Sequence, residues 1–274
     1  MNFERQFFKG YSQKVVFRNW SFNPTFSYGY YSDPGDPTSA IRDTYRSSEV
    51  MIESRYARDE SFLQNDNDRL SLGTVKWPII TFRYTHGFSD VFGSDFDYDK
   101  IRAGISKRIR FGPLGVAYAD LSGEYVFDTL PYPLLALHLG NQTPILASQT
   151  FNLMNYGEFV SDRYVSFRYR HYFEGLLLNR IPLLKKLNWR LLGTANLIYG
   201  GLRQSNIDIN APVNPDGEPT LGYGYFTDKP YVELGYGVEN IFRFLRVDFI
   251  HRVSYLDNPD VRKFGILFSV FFQL

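Results

Sequence analysis

Large apolar residues recur at every second position through most of this chain, and the last stretch shows it most plainly. In Lys263–Leu274 the even positions Phe264, Ile266, Phe268, Val270, Phe272 and Leu274 are all apolar, while the odd positions are smaller and mixed. A period of two marks a β-strand. At ~3.3 Å per residue this one is about 40 Å long, enough to cross a membrane at a tilt. The same alternation runs through Gln13–Phe22, Thr25–Ser32, Ser47–Arg58, Pro78–Phe88, Tyr98–Phe111, Gly115–Phe127, Arg163–Phe173, Trp189–Tyr199, Tyr231–Ile241 and Leu245–Leu256. The fold class expected is all-β, a transmembrane antiparallel up-and-down β-barrel of about 11 strands.

The connections support an ordered meander. Walking back from Leu274, the segments 257–262, 200–230, 128–162, 89–97 and 33–46 fall at one end of the strands. Segments 242–244, 174–188, 112–114, 59–77 and 23–24 fall at the other. The two longest, 128–162 and 200–230, share the first end, as external loops of an outer-membrane barrel do, and the shortest turns share the second. Bacterial single-chain barrels use an even strand number, so an odd count implies part of a larger barrel, or a further first strand in Asn2–Gly10. The last strand would then carry an open edge. The apolar but aperiodic run 174–188 reads as a short interfacial helix or turn.

Composition sharpens the choice between a membrane barrel and a soluble sandwich. Aromatic residues make up 18% of the chain, yet mean hydropathy is only −0.28. A polar lumen combined with aromatic girdles gives both at once. Net charge is +1, which offers nucleic acid no electrostatic footing. With no cysteine there is no disulfide framework and no thiolate metal site. No leader segment is legible at Met1, so the chain reads as a mature form or a fragment of an exported protein.

Charged residues alternate with the apolar ones and define a candidate lumen face. Lys100, Arg102, Arg108, Arg110, Arg168, Arg170, Arg190, Arg246 and Arg252 fall on it with Asp120, Glu124, Glu233, Glu239 and Asp248. Such a face serves as a charge-paired scaffold or as a polar path that favours anions. The opposite face of the closing strand, from Phe264 to Leu274, is expected to meet lipid. Catalytic signals are weak. Four histidines, His86, His138, His171 and His251, offer no nameable serine partner, so no enzyme is expected. His251 lies mid-strand on the apolar face, which points to a local bulge or a protein contact. The run Asp95, Asp97, Asp99 lacks the glycine of a calcium loop, with Lys100 in its place. Gly222-Tyr223-Gly224 and Gly235-Tyr236-Gly237 fail the dinucleotide fingerprint at Thr227 and Asn240. Asn141-Gln142-Thr143 is a formal glycosylation sequon. No cofactor or metal is expected.

Three stretches carry a resemblance: YTHGFSDVFGSDFDYDK (84–100), FNLMNYGEFVSDRYVSFRYRHYFEGLLLNRIPLLKKLNWR (151–190) and YVELGYGVENIFRFLRVDFIHRVSYLDNPDVRKFGILFSVFFQL (231–274). They resemble an uncharacterised Bacteroidota outer-membrane barrel family with a carboxypeptidase-regulatory-like domain before the barrel. The closing hairpin is also similar in layout to the surface-antigen barrels of outer-membrane assembly factors. The resemblance implies a location in the bacterial outer membrane, lipid and other outer-membrane proteins as partners, and the C-terminal part of a longer protein. The role expected is that of a non-enzymatic segment of a transport, export or assembly barrel, with a passive or surface-interaction barrel, whose external loops bind a partner or glycan, as the rival. The substrate is not legible.

Overall fold

The computed structural model describes residues 1–65, 68–74, 76–176, 178 and 185–270. One antiparallel sheet of eleven strands runs in chain order: β1 (Asn2–Phe8), β2 (Tyr11–Phe22), β3 (Tyr45–Ala57), β4 (Ile79–Phe88), β5 (Tyr98–Arg110), β6 (Val116–Val126), β7 (Arg163–Glu174), β8 (Arg190–Gly201), β9 (Tyr231–Ile241), β10 (Leu245–Arg252) and β11 (Phe264–Val270). The sheet is not closed, and β1 and β11 are its edges. Long connections 23–44, 89–97, 127–162, 202–230 and 253–263 leave one end. The other end holds 9–10, 58–78, 111–115, 175–189 and 242–244.

Several elements differ from the sequence reading. Thr25–Ser32 is not a strand of the sheet: only Tyr30–Tyr31 pairs, with Ile41–Arg42 and, at Tyr30, with Asn210. Asn23-Pro24 therefore opens a long loop rather than a hairpin turn. The alternating rings that mimic a strand, Tyr28 and Tyr30, are buried in a loop core instead. Asn2–Phe8 supplies the eleventh strand, turning at Gly10, whose φ of +83° suits glycine and where a Cβ would lie 2.8 Å from the Ala57 carbonyl oxygen. The connection after β3 contains a hairpin of Glu60–Asn65 and Asp68–Thr74. Strand β10 stops at Arg252, short of Leu256, with Tyr255 in the left-handed region (φ 53°). The interfacial helix or turn expected at 174–188 lies in part outside the described residues (177 and 179–184), and Phe272 and Leu274 lie outside them altogether.

Register divides the sheet into two chemically distinct faces, because directly paired residues point the same way. One face carries Ile52, Ile105, Leu121, Val165, Leu234 and Ile266, all exposed. Exposed aromatics lie towards both strand ends: Tyr84, Tyr125, Phe127 and Tyr199 near the loops, Phe111, Phe242 and Phe244 near the turns. The other face is polar and concave. Arg246 of β10 donates to the Tyr172 hydroxyl of β7 at 3.0 Å, across two intervening strands that hold neighbours ~4.8 Å apart.

Apolar cores form where the loops pack, not between two sheet layers. Tyr28, Tyr30, Tyr45, Tyr98, Leu130, Tyr132, Leu134 and Val160 make one cluster. Phe151, Met154, Phe159, Ile198, Phe226, Tyr231 and Tyr255 make a second. Phe159 and Phe226 stack at 4.4 Å. Leu153, Ile250 and Leu267 make a third, under β11.

Candidate functional site

The concave face and the loop that fills it are the candidate site. All the charged residues expected on one face do share it. Arg102 pairs in register with Glu124, and Arg108 with Tyr118 and so with Arg170. Asp120, Arg168, Asn196, Glu233 and Arg252 form one row across five strands. Arg190 opposes Glu239. Lys100 and Arg110 keep the β5 alternation, and Arg246 and Asp248 that of β10.

Charge matching is local rather than a facing of basic and acidic strands. Across the β5–β6 hairpin only Arg102 and Glu124 are direct partners, 3.9 Å apart. Asp120 faces Ser106 instead. Arg246 and Asp248 form a bidentate pair at 2.6 Å within β10. Gly237 makes that possible, since a Cβ there would sit 3.1 Å from the Asp248 carboxylate. Arg190 and Glu239 lie 4.0 Å apart. Alternation also puts residues there that the sequence reading passed over: Arg83 pairs with Glu53, Arg55 with Glu60, and Arg18 with Glu49.

Segment 127–162 does not simply project past the strand ends. It folds back across the concave face, and three anchors hold it. The Lys100 ammonium donates to the Leu134 carbonyl at 2.6 Å. Glu233 accepts the backbone N–H groups of Asn152 and Leu153, at 3.0 and 2.6 Å, together with the Tyr231 hydroxyl. Arg252, fully buried, grips Glu158 through two hydrogen bonds of 2.9 and 2.5 Å. Burial pushes the Glu158 carboxyl up, but hydrogen bonds from Arg252, the Asn155 N–H and Asn258 together hold it below the ordinary value.

A fourth contact reaches the sheet edge. The Leu146 N–H donates to the Phe268 carbonyl at 2.7 Å, and the Phe268 N–H to the Pro144 carbonyl at 2.9 Å. The expected open edge of the last strand is thus partly paired by this chain's own loop. Asn152 and Asn141 shape the bend, Asn141 donating to the Ile145 carbonyl at 2.7 Å. Its amide is buried in these bonds, so the sequon is a structural device here.

Segment 202–230 closes over the base of that loop. Arg203 donates to Asp162 at 3.0 Å and to the carbonyls of Val126, Phe127 and Asp128. Asn206 donates to Asp162 and accepts from the Leu130 N–H. Gly224 lets the two loops touch, since a Cβ would lie 2.2 Å from the Glu158 carbonyl. No motif signals these residues, because their partners lie far away in sequence.

The histidines fall into two settings. His138 is buried and its Nε2 lies 2.7 Å from the Ser161 hydroxyl, a pairing that sequence spacing does not reveal. Burial, reinforced by Arg168 and Arg102, lowers its pKa to about 3, so it stays neutral and is a poor base. Ser161 is also fully buried. His251 sits on the apolar face without the expected bulge, in regular register with Leu234 and Phe264. It lies against the rings of Phe264 and Tyr236. Of the aspartate run, Asp95 binds the Arg46 N–H and Asp99 binds Tyr84 and His86. Among the described residues no cluster of three potential ligands could hold a metal ion.

The sequence of residues 12–206 matches the C-terminal domain of a family of unknown function, DUF5686. The chain belongs to that family. The matched region spans strands β2 to β8, and with them Lys100, Arg102, Arg168, Arg170 and the whole of segment 127–162. No curated protein matches the chain.

Proposed function

We propose that this chain is the membrane-spanning part of a non-enzymatic outer-membrane β-barrel that serves transport, export or assembly, with a resting state filled by its own loop. One observation carries the reading: a single sheet turns an exposed apolar face outward and a charge-paired face inward. Water would penalise the first face and lipid the second. Strands of 7–13 residues bracket the ~9–11 that a tilted transmembrane strand needs. The Bacteroidota origin and the preceding regulatory-like domain rest on the three resembling segments alone. The buried, weakly basic His138 supports a non-catalytic role.

Detergent dependence tests the membrane reading. The protein is expected to be monodisperse and folded only in detergent or bilayers; a folded monomer in plain buffer would end it. A second reading is a surface-interaction barrel, favoured by exposed Leu139, Tyr156, Leu221 and Tyr225 on the loop layer. Bilayer conductance separates the two. Deleting residues 140–150 is expected to open current in a conduit and to leave an interaction barrel silent.

A further inference from the structure

The polar face is not neutralised everywhere. Glu124, Glu158, Glu239 and Asp248 have Arg102, Arg252, Arg190 and Arg246 as partners, while Glu233 is taken up by backbone N–H groups of the loop. Arg108, Arg110, Arg168 and Arg170 remain. Among the described residues none of them has an ion pair, and Arg108, Arg168 and Arg170 also bury an Nε with no hydrogen-bond partner. Arg168 lies over the Phe151 ring at 5.1 Å, with Asp120 and Glu233 close enough for their charges to reach it. Asp120 stands opposite Arg168 in register, and it too makes no ion pair among the described residues.

Arg168 and Arg170 line a cavity of about 600 Å³ under residues 137–151, and Arg108 lines the adjoining one beside Arg170. The walls add Ser106, Ser122, Ser166 and Asn196, which suit hydroxyl groups. A half-buried guanidinium whose Nε finds no acceptor is costly, and its planar fork matches phosphate oxygens two at a time. We propose that this cavity binds a small phosphate ester with a hydroxyl-bearing body, its phosphate held by Arg168 and Arg170. Asp120, which holds no hydrogen-bonded cation among the described residues, accepts hydroxyl hydrogens of the same ligand. The site faces the concave space, so the ligand arrives from water rather than from the apolar face.

The test uses the full chain in detergent, with inorganic phosphate and glycerol 3-phosphate compared with chloride at equal ionic strength. Both probes are expected to raise Tm saturably by several degrees. The Arg168→Gln/Arg170→Gln variant is expected to lose that rise, and in chloride to be at least as stable as the wild type. No rise in the wild type, or an equal rise in the variant, overturns the proposal, because phosphate also stabilises proteins by exclusion from their surface. Arginine labelling of the wild type with phenylglyoxal gives a readout that needs no variant. Phosphate is expected to protect Arg168 and Arg170 while leaving Arg163 reactive, and equal labelling of all three with and without phosphate overturns the proposal.

Discussion

Leu146 and Phe268 exchange backbone contact across the edge of the sheet: the Leu146 N–H donates to the Phe268 carbonyl at 2.7 Å. Together with the bond from the Phe268 N–H to Pro144, this makes a parallel bridge between Ile145 and Phe268. An unpaired edge strand invites association with other chains, and in lipid each unpaired backbone group costs several kcal/mol. The loop thus has two roles, filling the concave face and capping part of β11.

Cysteines at the bridge give a direct check. The chain has no cysteine of its own, so Ile145→Cys/Phe268→Cys is a clean pair. Bridged positions fall within the Cα separation a disulfide requires. Mild oxidation is expected to produce a faster-migrating, reducible species in the double variant and in neither single variant. Its absence from folded protein would remove the loop from the edge.

Arg203 ties the two long loops together through Asp162, which is 1% exposed. Removing one partner of a buried pair typically costs ~3–5 kcal/mol, because the other charge is stranded. Arg203→Ala is expected to lie near the lower end, since the arginine is itself partly exposed and Asp162 keeps Arg163 and the Asn206 amide. Chemical denaturation reads the loss, and a change below about 1 kcal/mol would mean that these two donors suffice for Asp162.

His138 makes stability depend on pH. Its pKa is about 3 when folded and ~6.5 when unfolded. Between these values the unfolded chain binds the extra proton, so stability falls as pH drops below about 6.5. Glu158 acts in the same direction at lower pH: its carboxyl is held down in the fold, so its contribution is lost as pH falls through that lowered value. Replacing His138 with Gln is expected to flatten the melting temperature between about pH 6 and 4.5. A wild-type profile already flat there would contradict the buried, neutral histidine.

The apolar face can be probed at its centre. Ile105→Arg is expected to cost about 2–4 kcal/mol in a bilayer if that residue meets the hydrocarbon midplane. Phe127→Arg, just past β6 at the loop end and exposed, should cost only about 0–1 kcal/mol, as near an interface. Equal effects at the two positions would argue against lipid on that face.

Ten of the eleven strands were legible because alternation is a local property: every second residue on a strand meets the same surroundings, whichever strand lies beside it. For the same reason the charged face from Lys100 to Arg252 could be assigned before any contact was known. The signal failed where loop residues copied it. Tyr28 and Tyr30 alternate like a strand but bury their rings against Tyr45 and Tyr132. Asn2–Phe8, which pairs with β2, was pointed to only by the odd strand count and not by its own alternation.

What the sequence by itself determined is the strand order, the two faces and the residue types on each, since these follow from period two and from connection lengths. Only the tertiary structure decided which charges are neutralised and where segment 127–162 goes. Glu158 finds Arg252, Glu233 finds the Asn152 and Leu153 amides, and Leu146 finds Phe268. Each contact joins residues roughly 80 to 120 positions apart. No local pattern encodes such pairings; they exist because a curved sheet brings distant strands around one concave space that the loop then fills.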